Sequence, residues 1–305
     1  MIRVGTSSWA DPGFIKDWYP PQLPVAQRLG YYARHFDYVE LNSSFYAVPE
    51  RRMVERWARS TPEGFVFDMK LHKSLSRHAF READLPKELR PLARTARSKA
   101  TLTPELEAAT AAEFLRAVEP LVETGKFGAF LLQLSPAFSP QKHSLAELDA
   151  LLEALSPRTV AVELRNRNWL REEKAMTDFF ASRKATLVGV DGPRTEHFTV
   201  MPPSDWVTND GLAYLRLHGR NAEGFISGKT VAERFDYEYS EAELEETAAR
   251  AKGLAEQARE VHVAFNNNHS DYAPRAAERL RQMLGQIPFH ESHRRLSAEQ
   301  TDLRF

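Results

Sequence analysis

The chain has 305 residues, with 41 Lys and Arg against 42 Asp and Glu, so its formal net charge of -1 favours neither nucleic acid nor an acidic membrane as a partner. It has no cysteine, which excludes disulfides, thiolate catalysis and cysteine-bound zinc or iron–sulfur clusters. Its composition is that of an ordinary globular protein, and its length suits one large α/β barrel.

The first residues read as a strand rather than as a basic region followed by a long apolar stretch, so we expect no secretory signal. No apolar run approaches the roughly 18 residues of a transmembrane helix. The expected location is therefore cytoplasmic, with no membrane partner.

Eight short apolar runs recur along the chain, and each predicts a strand. They cover residues 2–7, 37–42, 65–72, 128–134, 159–165, 185–191, 212–219 and 261–267. Amphipathic stretches between them predict helices at 27–36, 50–60, 110–125, 145–157 and 240–258. The last of these opens with Ser240 and Glu243 in the spacing of a capping box.

This alternation predicts parallel strands joined by crossover helices, and a single (β/α)₈ TIM barrel is the simplest closure at this length. An open doubly wound sheet is the alternative. It is disfavoured because no GxGxxG or P-loop motif follows the first strand, which also leaves no nicotinamide or flavin signature. We expect the barrel domain to cover residues 1–288 and a C-terminal tail to cover 289–305.

Polar side chains gather where the predicted strands end, as in the last run, where Phe265 is followed by six polar residues. The outer face of a barrel strand must stay apolar to pack on helices, so these side chains should point inward. They would then meet at the C-terminal rim, where TIM-barrel active sites lie. A buried ion-pair plug is the structural alternative. The predicted ring contains Glu40, Asn42, Asp68, Lys70, His72, Gln133, Glu163, Arg165, Asp191, Arg216, His218 and Asn266.

Three motifs, "VELNSSFY", "VELRNRNW" and "FNNNHSDYA", occur in this order with several weaker ones. With them the chain resembles the DUF72 family, also called YecE-like, from residue 2 to about 285. The resemblance implies a TIM barrel with a site built from these motifs, and it implies no particular reaction. The chain departs from the family pattern in the segment after His72, which is longer and more basic, and in its C-terminal tail.

Four residues of the ring are candidates for acid–base catalysis: Glu40, Lys70, Glu163 and His218. Glu40 and Glu163 lie on the second and fifth strands, so they could face each other as acid and base across a glycosidic or related bond. Lys70 would serve as a Schiff-base lysine if its neighbours desolvate it. Asp68 on the same strand face favours a salt bridge to Lys70 instead.

A divalent metal is a further alternative, because carboxylates and histidines suit magnesium, manganese or zinc. The candidate ligands are Glu40, His72, Glu163, Asp191 and His218. Three cations near the same rim, Lys70, Arg165 and Arg216, would repel such an ion, so the cofactor stays undecided.

Aromatic residues beside the rim would suit a sugar or a nucleobase, and the arginines would favour a phosphate or carboxylate on the ligand. The side chains expected to bind the ligand are Trp9, Asn42, Tyr46, His72, Gln133, Arg165, Trp169, Asp191, Arg216, Tyr237, Asn266 and Asn267.

The segment 73–104 is expected to leave the barrel as a basic excursion after the third strand. Between Lys73 and Lys99 it has eight Lys or Arg against three Asp or Glu. A solvated lid is one interpretation, and a clamp for an anionic substrate such as a nucleic acid backbone is the other.

The sequence thus favours an enzyme of the hydrolase or isomerase type acting on a polar, anionic ligand by acid–base chemistry. The ligand would be a sugar derivative, a nucleotide or a nucleic acid. The alternative is a barrel that binds a ligand or nucleic acid without chemistry. The oligomeric state is not indicated.

Overall fold

The computed structural model describes residues 1–96 and 98–286, with only the backbone of residues 231 and 232. The predicted tail at 289–305 lies outside this range. Each predicted strand is present: β1 (Ile2–Thr6), β2 (Tyr38–Leu41), β3 (Val66–Lys70), β4 (Phe127–Gln133), β5 (Val160–Glu163), β6 (Thr186–Leu187 and Gly189–Asp191), β7 (Leu212–Leu217) and β8 (Glu260–Phe265).

These strands form a closed parallel barrel. β1 pairs with β8 and β2, and the order continues through β3, β4 and β5. Closure depends on β6, whose first part pairs with β5 and whose second part pairs with β7. Val188, between the two parts, donates its N–H to the carbonyl of Val162 at 2.9 Å. The TIM-barrel prediction is therefore confirmed.

The helices are α1 (Val25–Tyr32), α2 (Arg51–Arg59), α3 (Pro104–Glu123), α4 (Asp149–Leu155), α5 (Glu173–Ser182), α6 (Ala222–Ser227), α7 (Val231–Arg234), α8 (Glu241–Ala255) and α9 (Tyr272–Met283). The capping box at the start of α8 is confirmed, because Ser240 and Glu243 satisfy each other's backbone N–H groups. One alternation was wrong: residues 192–211, between β6 and β7, contain no helix. Pro193, Pro202 and Pro203 lie in this connection, and proline disfavours helical backbone.

The two faces of the strands differ as the alternation predicts. On β3, Phe67 points outward and packs on Trp57 of α2, with ring centroids 6.5 Å apart. Its neighbour Asp68 points inward and bonds to Tyr38 and His262. The outer face thus belongs to the apolar core, and the inner face carries polar groups that are completely buried.

The basic excursion has a small apolar core of its own, formed by Phe80, Leu85, Leu89 and Leu106. A two-stranded hairpin, Arg94–Ala96 with Lys99–Thr101, lies within it. Because Leu106 belongs to α3, this cluster attaches the excursion to the barrel.

Gly128 makes room for a buried ion pair inside the barrel. A β-carbon there would lie 2.3 Å from Asp68 Oδ1, 2.7 Å from Val66 Cγ1 and 3.0 Å from His262 Cε1. Asp68 accepts from His262 at 2.7 Å, and this carboxylate raises the pKa of His262 to about 9 although burial alone would lower it. Any larger residue at position 128 would therefore displace the pair.

We predict that Gly128→Ala lowers the free energy of unfolding by about 1–3 kcal/mol, since the added methyl group overpacks the lumen. Gly253→Ala is the matched control: it lies in α8 with nothing within 4 Å of the new methyl group. The control should raise the free energy by about 0.5–1 kcal/mol through helix propensity. Urea unfolding measures both, and a stabilising Gly128→Ala would contradict the packing described here.

Candidate active site at the mouth of the barrel

The centre of the polar lumen is an arginine held between two carboxylates. Arg216 of β7 donates from Nε to Glu40 Oε2 at 2.8 Å and from Nη2 to Glu40 Oε1 at 2.5 Å. Its Nη1 donates to Glu163 Oε2. All three side chains are fully buried. Arg216 is therefore held by protein partners, and its role in contacting the ligand stays a prediction.

Both carboxylate oxygens of Glu40 accept hydrogen bonds, because Tyr214 also donates to its Oε2 at 2.8 Å. The side chain of Glu40 is fully buried, and it accepts from Arg216 and Tyr214. Arg216 lies between Glu40 and Glu163 and binds both carboxylates, and the acid–base pairing of these two residues across a substrate stays a prediction.

Glu163 connects this ion pair to the residues of the rim. Its Oε1 accepts from Gln133 at 2.9 Å, from His218 at 3.1 Å and from Arg165 at 3.4 Å. Burial works to raise the pKa of Glu163, but the charge of the neighbouring Arg216 outweighs it and holds the pKa well below its usual range. Glu163 is therefore a fixed anion that orients three neighbours.

His218 is held as a neutral ring. Its Nδ1 accepts from Asn266 Nδ2 at 2.9 Å, so Nε2 carries the proton and donates to Glu163. Burial lowers the pKa of His218, in agreement with this tautomer. Asn42 continues the chain by donating to Asn266 Oδ1 at 3.1 Å. The predicted meeting of these strand ends is therefore present in the structure.

The polar run after β8 belongs to the rim in part. Asn267 donates to the carbonyl of Tyr237 at 2.8 Å and is fully buried. The Oδ1 atoms of Asn42, Asn267 and Asn268 are buried and accept no hydrogen bond from the described residues. Buried acceptors left in this way suit a ligand that donates hydrogen bonds.

Lys70, at the end of β3, is a buried cation without a carboxylate partner. Its Nζ donates to Gln133 Oε1 at 2.7 Å and lies 4.5 Å from the centre of the Phe45 ring. No acid among the described residues forms an ion pair with it. The predicted salt bridge to Asp68 was wrong, because Asp68 is occupied by Tyr38 and His262 deeper in the barrel.

The environment of Lys70 favours the neutral amine. Burial is the largest cause, and the nearby cation of Arg216 is the next, so the pKa of Lys70 is lowered to about 7. Glu40 and Glu163 act in the opposite direction but are neutralised by Arg216. An amine that titrates near neutral pH is typical of lysines that act in catalysis.

A cavity of about 380 Å³ lies at the C-terminal rim beside Gln133, the hydrogen-bond partner of Lys70. Two of the predicted residues, Gln133 and Arg165, line it. The other lining residues are His78, Leu134, Pro136, His197, Thr199, Phe225, Ile226, Arg234 and Phe235. Glu163 and His218 line a small recess that shares Arg165, Thr199 and Phe225 with this cavity. We call the larger space the mouth cavity.

Sequence reasoning missed His78 and Arg234. His78 belongs to the excursion, and burial with the nearby charge of Lys70 lowers its pKa to about 4. Its Nε2 is buried and has no partner in the described chain. Arg234 comes from α7 in the long β7–α8 connection and donates to the carbonyl of Gly228 at 2.8 Å. No periodicity marks either residue, because both lie in irregular connections.

Two predicted residues lie away from the cavity. His72 forms hydrogen bonds through Nδ1 with Ser74 Oγ at 2.8 Å and through Nε2 with the carbonyl of Asp84 at 3.1 Å. These contacts attach it to the excursion. Asp191 pairs in register with Leu217, on the sheet face opposite Arg216. Its carboxylate accepts from Arg220 at 2.6 Å. Both side chains have local partners in the protein, and their role in ligand binding stays a prediction.

The predicted aromatic ring is not assembled around the mouth cavity. Trp9 packs edge-on against Trp57 of α2 at 5.3 Å. Trp169 donates to the carbonyl of Phe138 at 2.9 Å and stacks on that ring. Neither lines the cavity, and their burial explains both as packing residues.

The two predicted tyrosines also lie outside the mouth cavity. Tyr46 is 64% exposed. Tyr237 donates to Glu243 at 2.6 Å. A larger groove of about 570 Å³ lies elsewhere, between the turn before α4 and α5, and it includes Trp169. We place the candidate site in the smaller mouth cavity, because Gln133, the hydrogen-bond partner of the perturbed Lys70, lines it.

The described residues contain no group of three or more His, Asp or Glu side chains that could hold a metal ion. The carboxylates predicted as ligands, Glu40 and Glu163, are instead held by Arg216. The donor set of the described residues therefore does not fit a divalent metal.

Several cations of the basic excursion have acidic or backbone partners within the protein. Lys73 contacts Asp84 at 2.8 Å, and Arg77 contacts Glu107 at 2.5 Å. Arg90 donates to the backbone carbonyls of Leu85 and Ala83. Arg97 lies outside the described residues. The segment therefore uses several of its charges to hold its own fold.

The family model described as "protein of unknown function DUF72" matches residues 3–300. The chain belongs to the DUF72 family. It is 30% identical over 309 residues to the UPF0759 protein YunF of Bacillus subtilis, covering 99% of this chain and all of that protein. It is 28% identical over 143 residues to the UPF0759 protein YecE of Escherichia coli, covering 47% of this chain and 40% of YecE.

Solved structures of DUF72 proteins agree with the fold. A DUF72 family protein of Enterococcus faecalis has a TM-score of 0.78 at 28% identity, covering 94% of this chain and 96% of its own. One from Thermotoga maritima has a TM-score of 0.75 at 30% identity, covering 94% of this chain and all of its own. Within the described residues, this DUF72 chain has no helix that is both long and apolar enough to cross a membrane.

We predict that Lys70 reacts with an amine-directed reagent such as acetic anhydride along a titration curve with its midpoint near pH 7. Deprotonation produces the reactive amine, so the rate should rise as the pH passes this value. Lys16, whose side chain is 82% exposed, is the control. Peptide mass spectrometry follows both sites, and a curve for Lys70 that matches Lys16 would contradict the assigned environment.

Proposed function

We propose that this DUF72 protein is an enzyme that moves a proton on a small anionic substrate bound in the mouth cavity, as an isomerase does. The observation that carries the proposal is Lys70: a buried amine with no carboxylate partner, next to a cavity at the C-terminal rim. Burying a cation without a carboxylate partner lowers the stability of the fold. A residue kept in such a place is therefore a candidate for a functional role.

The charges around the mouth cavity favour an anion. Arg165 and Arg234 both line it, and no Asp or Glu is among its lining residues. Glu163 fixes one side of Arg165 at 3.4 Å and leaves the rest of the guanidinium for a ligand. Guanidinium groups bind carboxylates and phosphates through paired, charge-assisted hydrogen bonds.

Lys70 and His78 each have a neutral form near pH 7 that can accept a proton. The pKa of Lys70 is lowered to about 7, mainly by burial, so both of its protonation states are populated. His78 is neutral, because its pKa is lowered to about 4, and its Nε2 is free. A general base works best when its pKa lies near the working pH, and Lys70 meets that condition.

Isomerisation is favoured over glycoside hydrolysis by the state of the carboxylates. Hydrolysis of that kind needs one protonated acid and one free carboxylate on opposite sides of the bond. Glu40 and Glu163 are both bound to Arg216, and the pKa of Glu163 is held well below its usual range. Glu163 is therefore not available as the proton donor.

A purely binding role remains the second candidate, favoured by the two cavity arginines. A nucleic acid is less well supported as the ligand, because Lys73, Arg77 and Arg81 of the excursion are paired with acids. A cavity of about 380 Å³ suits a small molecule instead.

We predict that Arg165→Gln weakens phosphate and pyruvate binding by about tenfold or more, the effect of losing roughly 1.5–3 kcal/mol from a charge-assisted hydrogen bond. Arg171→Gln is the matched control, since Arg171 lines the separate groove beside Trp169. Thermal shift and calorimetry measure the affinity. An equal loss in Arg171→Gln would move the binding site out of the mouth cavity.

Lys70→Met should bind the same anions and fail to exchange protons on them. The assay follows incorporation of solvent deuterium into carbonyl-bearing anions such as pyruvate and dihydroxyacetone phosphate by NMR. Exchange by the wild type that disappears in Lys70→Met supports catalysis. Binding without exchange by the wild type across the probes would favour the purely binding role.

A further inference from the structure

We propose that Lys70 forms a Schiff base with the carbonyl carbon of a small carboxylated or phosphorylated aldehyde or ketone held in the mouth cavity. This inference rests on the proposed function and names its substrate class: the substrate must carry both a carbonyl group and an anionic group. It also gives Lys70 a covalent role in addition to proton transfer.

The contacts of Lys70 leave its amine available as a nucleophile. Gln133 Oε1, at 2.7 Å, is a neutral acceptor that orients the amine without stabilising its charge as a carboxylate would. Gln133 is itself fixed, because its Nε2 donates to Glu163 at 2.9 Å. The amine is thus positioned by an amide that an ion pair holds in place.

The amine of Lys70 is buried and lies behind one residue of the cavity wall. The Phe45 ring covers Nζ at 4.5 Å, and Lys70 as a whole is 8% exposed. Its hydrogen-bond partner Gln133 lines the mouth cavity, as does His78, whose ring lies 5.1 Å from that of Phe45. A carbonyl group in the cavity would therefore meet Gln133 and His78, with the amine of Lys70 one hydrogen bond behind Gln133.

Electrostatics keeps a useful fraction of the amine neutral. Cationic Arg216 and Arg165 disfavour a third charge, while Glu40 and Glu163 favour it more weakly than burial opposes it. The pKa of about 7 therefore leaves roughly half of Lys70 as the free amine at neutral pH. Desolvation beside other cations is a known way to activate a Schiff-base lysine.

Schiff-base formation joins the amine of Lys70 to the carbonyl carbon of the substrate. The lone pair of Nζ attacks the carbonyl carbon, the C=O π electrons move to oxygen, and a proton passes from nitrogen to that oxygen to give a carbinolamine. The hydroxyl group then takes up the remaining proton of the nitrogen and leaves as water, while the nitrogen lone pair forms the C=N bond of the neutral imine. Nothing is oxidised or reduced in these steps, and one water molecule is released.

His78 is placed to carry the proton between the two atoms. It is neutral, and its buried Nε2 has no partner in the described chain, so it can accept the proton from nitrogen and return it to oxygen. Arg165 and Arg234 would hold the anionic group of the substrate in the same cavity. Protonation of the imine gives an iminium ion. This ion accepts electrons from a neighbouring carbon and so makes the adjacent C–H bond acidic.

The test uses the full-length protein with pyruvate, glyoxylate or dihydroxyacetone phosphate and sodium cyanoborohydride at pH 7. Hydride reduces the imine to a stable secondary amine, so the intact mass should rise by the mass of the probe less one oxygen atom. Peptide mapping then locates the adduct. We expect it on Lys70, and we expect it to be lost in Lys70→Met and kept in Lys16→Met.

Adducts spread over exposed lysines such as Lys16, with none enriched at Lys70, would overturn the inference. The proposed function fails separately. If deuterium exchange depends on Lys70 but no adduct can be trapped, Lys70 acts as a base alone and only the Schiff base is refuted. If neither exchange nor binding is found, the proposed function is refuted as well. Peptide mapping of the wild type decides the matter even if Lys70→Met is unstable.

Discussion

The rest of the site depends on one interaction, the guanidinium of Arg216 held between Glu40 and Glu163 inside the barrel. Removing one partner of such a buried pair costs about 3–5 kcal/mol, because a charge is left without compensation. The pair also determines the chemistry above it. Both carboxylates are bound to this guanidinium. Lys70 at the rim forms no ion pair with an acid of the described residues and donates to the neutral amide of Gln133 instead.

Below this ion pair, a continuous chain of hydrogen bonds fills the lumen. Tyr214 donates to Glu40, and its hydroxyl is 2.6 Å from that of Tyr38, which donates to Asp68. Asp68 in turn accepts from His262. Each of these buried side chains thus has a hydrogen-bond partner. The network places the rim residues on a rigid base, which is the arrangement that precise positioning of a substrate needs.

The fold could be predicted because the period-two pattern of the strands is strong and the outer face must be apolar. The same argument correctly turned Glu40, Lys70, Glu163 and Arg216 into the lumen. It could not predict partners: Lys70 bonds to Gln133 rather than Asp68 because the two side chains lie at different depths along the barrel axis. It also could not find His78 or Arg234, because residues brought to the mouth by irregular segments leave no local pattern.

The central claim is that Lys70 is a reactive amine facing an anion-binding cavity. A crystal structure of the protein soaked with pyruvate and reduced with borohydride tests it most directly. The account predicts electron density that continues from Lys70 Nζ into the ligand, with the carboxylate beside Arg165 or Arg234. Ligand bound only in the groove beside Trp169, with Lys70 unmodified, would contradict it.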